Sequence, residues 1–286
     1  MKNFFFKLIG RIIRGIKSIY SITVYGIPYL TYRACYGNRS FDSMSSALLW
    51  MINVVKNEYP DFEIKHSTIL EIGSGQFLSH PIALKILGAH QITSIDLFEQ
   101  YNNKAAYLSL TNSGIARKVL SGSSLNKDTT EYISSIARQL KISKRLNIKG
   151  IKYLAPYDLM DNPFESTFDI VFSYTVLEHV PLKQIHPLLV STIKSLKQGG
   201  VFFHYVDLED HSCSNNNPFA FIDNRTWTDN DCQKRGNRIR IRDWEEIIKS
   251  LELTSSKIIP NNFRSSNIKF KNKTDQFCGF LFVGKK

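Results

Sequence analysis

Two groups of residues in this chain could do chemistry. The first is Glu71, Gly73 and Gly75, in the string Glu-Ile-Gly-Ser-Gly, with Asp96 further on. Glycines bracketing one serine let the backbone bend tightly and let a ligand approach, because neither carries a Cβ. A carboxylate at the end of a neighbouring strand can accept two hydrogen bonds from a ribose diol. The second group is His179, Asp207 and His211. An imidazole titrates near neutrality and is a natural base for a hydroxyl proton. An aspartate could orient it, or could bind a metal together with Asp210. Each histidine also has a plainer role: His179 packing at a helix start, His211 capping a turn. His204 lies inside an apolar run and reads as structural.

The elements that must hold these residues are legible. Thr68–Ile72 is a β-branched apolar run, as a buried parallel strand should be. Ser79 or His80 opens a helix with Pro81 in its first turn. Ile82, Leu84, Ile86 and Leu87 are its apolar side, and Gly88 stops it. Gln91–Ile95 is a second strand ending at Asp96. This unit makes a nucleoside-shaped slot at the C-terminal edge of a parallel sheet. Dinucleotides and S-adenosylmethionine both use such a slot. The dinucleotide fingerprint requires a third glycine where Leu78 stands. Glu71 suits a cationic ligand with an amino acid end. A structural strand–helix–strand unit without a ligand is the plain alternative.

Phe41–Tyr59 has helical spacing, with Leu48, Leu49, Ile52 and Val55 as its stripe, Asp42 or Ser43 as its cap, and Pro60 after it. It is expected to cover the start of the sheet. Residues 100–150 read as a polar, mostly helical insertion broken at Ser121–Asp128. Its basic residues, among them Arg138 and Lys141, read as a solvated face. Ile148–Leu154 is a third strand. Asp158 beyond it could accept from an adenine amino group or cap a turn. Phe168–Tyr174 is the fourth strand, Leu182–Leu196 a helix, and Lys197–Gly200 its glycine stop. Val201–Val206 is the fifth strand. Asp243–Leu251 is a helix with Asp243 as cap and Glu246 at capping-box spacing. Gln276–Val283 is a last apolar strand.

Three strings are similar to class I S-adenosylmethionine-dependent methyltransferases. They are the Glu-x-Gly-x-Gly unit with its terminal Asp96, Phe-Asp-Ile-Val-Phe-Ser-Tyr-Thr-Val-Leu-Glu-His-Val at 168–180, and Leu-Lys-Gln-Gly-Gly at 196–200. The resemblance covers about residues 66–286, and Phe77 stands where many members have a third glycine. It implies an α/β fold: a doubly wound, Rossmann-like, seven-stranded, mostly parallel sheet, the last strand antiparallel between five and six. It implies S-adenosyl-L-methionine as cofactor, held by Glu71, Gly73, Gly75, Asp96, Asp158 and Ser173. The end of strand four then lies beside the transferring methyl group, which makes His179, Asp207 and His211 the catalytic candidates. The pattern His204-x-Val-Asp-Leu-x-Asp-His211, with Asn217-Pro-Phe and Asn237-Arg-Ile-Arg240, resembles a bacterial subgroup associated with glycan or cell-surface saccharide modification. That implies a saccharide or other small hydroxyl acceptor.

The bulk properties bound these readings. The chain has 286 residues, 43% hydrophobic, enough for one large domain with an appendage. Residues 1–60 read as a helical extension and cap, and 61–286 as the sheet domain with its insertion. A net charge of +12 favours an anionic partner: nucleic acid, an anionic membrane face or a phosphorylated substrate. Residues 1–20, wound as a helix, place Lys7, Arg11, Arg14 and Lys17 opposite Phe5, Leu8, Ile9, Ile12, Ile13, Ile16 and Ile19. Charge interrupts this segment too often for a transmembrane span. It suits either a peripheral contact on the inner membrane face or packing on protein. Cys35, Cys213, Cys232 and Cys278 are scattered, with no zinc spacing, as expected of free thiols in a reducing cytoplasm. No interleaved aromatic–basic motif and no Asn/Asp-Pro-Pro-Tyr string points to nucleic acid. A nucleic-acid methyltransferase and a non-catalytic methyltransferase-like binding protein remain the rival readings.

Overall fold

A computed structural model describes residues 40–114, 127–142, 146, 148–212, 217–222, 226–263 and 276–286. The amphipathic segment 1–20, most of the 121–128 break, Cys35 and Cys213 lie outside the described residues. The elements in chain order are α1 (Phe41–Glu58), β1 (Thr68–Ile72), α2 (Ser79–Ile86), β2 (Gln91–Ile95), α3 (Asn103–Thr111) and α4 (Lys127–Ile142). There follow β3 (Ile151–Leu154), β4 (Phe168–Tyr174), a 3-10 turn (Leu177–His179), α5 (Leu182–Ser195), β5 (Leu196–Asp207), α6 (Asp229–Arg235), α7 (Ile241–Lys249), β6 (Ser255–Phe263) and β7 (Phe277–Lys285).

The strands form one seven-stranded sheet in the order β3-β2-β1-β4-β5-β7-β6. The first five run parallel, and β7 is antiparallel between β5 and β6. This is the Rossmann-like, mostly parallel sheet expected from the sequence, reversed last strand included. Among the described residues no helix is long and apolar enough to cross a membrane.

The chain divides into two compact units, residues 1–48, 75–86 and 100–149 in one, and 49–74, 87–99 and 150–286 in the other. The first holds α2, α3 and α4, which pack on one another. Ile133, Ile136, Ala137 and Leu140 supply the buried stripe of α4 at i, i+3, i+4 and i+7, while Arg138 and Lys141 are exposed. Asn102 caps α3, its side chain accepting from Ala105 N at 3.0 Å. Phe77 is buried against Ala105 and Leu108. The departure from the glycine pattern is thus a core residue of this unit.

The second unit holds the sheet. Leu70, Ile72, Val171, Phe202 and Val206 turn to one face, where Ile185 and Leu189 of α5 and Trp244 and Ile248 of α7 join them in one core. Strand pleating sends their neighbours to the other face, where Phe172 stacks on Phe203 with centroids 5.3 Å apart. β6 is an edge strand with Pro260 and Lys257, residues that discourage further pairing.

Several expectations need correcting. Ser40 rather than Asp42 or Ser43 caps α1, accepting from Ser43 N at 3.2 Å, and Asp42 instead accepts from Gly114 N at 2.5 Å. Met51 completes the α1 stripe, because Leu49 is 44% exposed. β3 begins at Ile151, after a turn at Lys149–Gly150. The glycine stop is the irregular start of β5, held extended by Gly199 N on Lys286 O at 3.2 Å and Lys286 N on Gly200 O at 3.0 Å. α7 starts at Ile241, so Asp243 lies inside its first turn and accepts from Arg240 N at 3.3 Å. Glu246 pairs with Lys249 at 2.7 Å.

Candidate functional site

The glycine turn leaves β1 at the C-terminal edge of the sheet. Gly73 N donates to Ile95 O at 2.8 Å, which ties the turn to the end of β2 and sets Asp96 one residue away. Gly73 has φ +77°, and a Cβ there would lie 2.3 Å from Val176 Cγ2. Gly75 has φ +61°, and a Cβ there would project into open space. Both conformations favour glycine, for different reasons: close packing at Gly73 and clearance at Gly75.

Glu71 is 2% exposed and opposite Ser94 in the β1–β2 register; Ser94 Oγ donates to Glu71 Oε2. Asp96 ends β2. Its N donates to Leu154 O at 3.1 Å, its carbonyl accepts from Tyr157 N at 2.9 Å, and its Oδ1 accepts from Phe98 N at 3.3 Å. The carboxylate is therefore fixed at the strand end. Leu97 and Phe98 beside it are 52% and 62% exposed, an apolar surface the sequence reading passed over. Asp158 follows Tyr157, so it sits near Asp96 along the chain, and its Oδ1 accepts from Met160 N at 2.8 Å as a turn cap. Ser173 is fully buried, and its Oγ is 2.8 Å from His204 Nδ1, its register partner on β5.

The histidine group stands at the ends of β4 and β5. The ring centroids of His179 and His211 are 4.7 Å apart, with planes at 67°. His211 Nε2 lies 3.4 Å from Asp207 Oδ2. His179 Nδ1 lies 3.4 Å from the Cys232 carbonyl. Glu178, in the same 3-10 turn as His179, is 1% exposed. His179 N accepts its position from Val176, donating to Val176 O at 2.9 Å. Val176 is the residue against which Gly73 packs, so the glycine turn and the histidine group share one end of the sheet.

Asp210 does not join Asp207. Arg235 donates to its two oxygens at 3.1 Å (Nε) and 2.5 Å (Nη2), and Ser212 N and Oγ donate to Oδ1. Burial would raise this carboxyl, but those hydrogen bonds outweigh it and hold it below the usual carboxylate range. His204 is fully buried, which pushes its pKa down to about 3, so it is neutral and no base. Burial, reinforced by Asp207, holds the Tyr205 phenol well above its ordinary range. Tyr205 stacks on Tyr174 at 5.2 Å and meets the Trp50 edge at 5.8 Å, an aromatic wall on the face that carries Asp207.

The residues that hold this end together were not foreseen. Asn237 Nδ2 donates to Leu177 O at 2.8 Å and to Val180 O at 3.0 Å, spanning the 3-10 turn. Arg240 donates to Leu208 O and to Phe277 O, each at 2.7 Å. His211 N donates to Arg235 O at 3.1 Å. α6, which bears Cys232 and Arg235, was also missed, although Thr228 and Asp231 form a capping box that signals it. Cys232 and Cys278 are buried thiols, neither in a disulfide.

No family model and no curated protein matches the chain. Solved structures do. A Mesorhizobium loti S-adenosylmethionine-dependent methyltransferase is 13% identical, with 82% of this chain and 96% of that one covered at a TM-score of 0.46. Haemonchus contortus phosphoethanolamine N-methyltransferase 2 with S-adenosyl-L-methionine is 14% identical, covering 88% and 58% at 0.48. Burkholderia thailandensis 1,6-didemethyltoxoflavin-N1-methyltransferase with S-adenosylhomocysteine is 12% identical, covering 85% and 87% at 0.43. The last two are named for different acceptors. The fold assignment rests on the strand order itself.

Proposed function

We propose that the chain is an S-adenosylmethionine-dependent methyltransferase acting on a hydroxyl of a saccharide or other small acceptor. One observation carries this reading: the glycine turn and the histidine–carboxylate group meet at one sheet end, joined through Val176. The residues at the sheet edge fit the cofactor: Asp96 presents a fixed carboxylate for a ribose diol, and Leu97 and Phe98 offer apolar surface for a base. Bound there, S-adenosylmethionine supplies an electrophilic methyl group on a good leaving group.

The chain then has two tasks. It must align the acceptor oxygen, which can be worth roughly 7–11 kcal/mol in favourable cases. It must also take the hydroxyl proton, typically worth about 10²–10⁴-fold. His211 is the base in this reading, and Asp207, 3.4 Å from its Nε2, orients the ring. The half-buried Tyr174 and Trp50 suit one face of a sugar ring.

Calorimetry with S-adenosylhomocysteine tests this. Wild type should bind, and Asp96→Ala should bind at least tenfold more weakly. No binding by wild type, or an unchanged dissociation constant in the variant, removes the proposal.

A further inference from the structure

Glu178, His179 and His211 each offer a ligand atom, and these atoms lie within 4.8 Å of one another. We propose that the three side chains bind one divalent transition cation of the zinc, cobalt or nickel class. In a tetrahedral zinc centre the ligand atoms sit about 3.3 Å apart, given metal–ligand bonds of about 2.0–2.2 Å. Rotamer adjustment of one exposed histidine closes that difference.

Two further features point the same way. His179 Nδ1 lies 3.4 Å from the Cys232 carbonyl and His211 Nε2 lies 3.4 Å from Asp207 Oδ2, so a neighbouring oxygen already sets the direction of each ring. Ligating imidazoles usually turn their other nitrogen to a carbonyl or carboxylate in this way, which fixes tautomer and ring direction. The frame is pinned, by Asn237 on the 3-10 turn and by the Arg235 carbonyl on His211 N. Two imidazoles and one carboxylate, without thiolate, favour zinc, cobalt or nickel over magnesium or calcium.

Three protein ligands leave a fourth position open, as in catalytic rather than structural zinc sites. The cation's part in methyl transfer rests on the proposed function; its binding does not. An acceptor hydroxyl in the fourth position would become more acidic. Its proton would pass to Asp207 or to water, the oxygen would keep the electron pair that forms the new bond to carbon, and the carbon–sulfur bond would break with its pair leaving on the thioether of S-adenosylhomocysteine. His211 then acts as a ligand, and Asp207 becomes the group that receives the proton.

The test uses tag-free full-length protein, stripped with chelator and dialysed. Cobalt(II) is titrated and read by its visible absorption, zinc by calorimetry. Wild type should bind one equivalent, and His211→Ala and His179→Ala should each lose at least tenfold in affinity. Glu178→Gln should do the same, with circular dichroism to confirm its fold; the exposed His211→Ala keeps the test decisive if Glu178→Gln does not fold. No stoichiometric binding, or equal affinity in wild type and both histidine variants, overturns the site. S-adenosylhomocysteine binding on the same samples separates the two ideas. Cation without nucleoside supports the site and removes the methyltransferase; nucleoside without cation overturns the site alone.

Discussion

Replacing Gly73 by alanine tests the join between the glycine turn and the histidine group. Two costs add. The residue holds φ +77°, a left-handed conformation that costs an L side chain roughly 1–2 kcal/mol. Its new Cβ would lie 2.3 Å from Val176 Cγ2 and 3.4 Å from Val176 Cβ and Cγ1. Val176 is β-branched and stiff at χ1, so the crowding has no cheap exit and should cost about 1–3 kcal/mol. Gly73→Ala should therefore lose roughly 2–5 kcal/mol. Val176→Ala removes the obstructing methyls, so the double variant should recover the crowding part and keep the backbone part. The coupling between the two substitutions should be about 1–3 kcal/mol, favourable in the pair. Urea unfolding followed by tryptophan fluorescence measures all four proteins at constant m-value. A Gly73→Ala variant as stable as wild type, or additive substitutions, would refute the packing argument.

Two other outcomes follow from burial. His204 is held neutral, with a folded pKa of about 3 against an ordinary 6.5, so its contribution is fully present above pH 6.5 and is lost as pH falls towards 3. Between pH 7.5 and pH 5 this histidine alone should remove about 2 kcal/mol of stability, and a His204→Leu variant should show that much less acid sensitivity in denaturant titrations. Arg235→Ala should cost roughly 3 kcal/mol by stranding Asp210, whose side chain is fully buried, while adding Asp210→Asn should return part of it; thermal unfolding of single and double variants reads this directly.

What the sequence disclosed was set by how local each signal is. β1, β2 and β4 were legible to the residue, because a buried parallel strand is a continuous apolar run between turn residues. β6 was not, because an edge strand needs no such run, and Ser-Ser-Lys-Ile-Ile-Pro-Asn-Asn-Phe looks like a loop. The start of β5 misled, since Gly199 and Gly200 read as a stop until Lys286 pairs with them from the far end of the chain. Helix caps slipped by a residue or more for a related reason: which oxygen caps depends on the direction of entry. The glycine turn was visible in the site because its parts are contiguous. The convergence of His179 and His211, and the pinning by Asn237 and Arg240, depend on loops returning from α6 and α7, which periodicity does not encode. The contact of Ser173 with His204 was not legible either, because it depends on the parallel register of β4 and β5.

The placement of β7 has a consequence for synthesis. β5 and β6 flank a slot that only Phe277–Lys285 can fill, so neither reaches its final neighbour until that segment has left the ribosome. A message truncated before Phe277 would leave β5 with a bare, hydrogen-bonding border and β6 with no strand to pair with. Such a fragment should precipitate rather than persist as a weakened version of the whole.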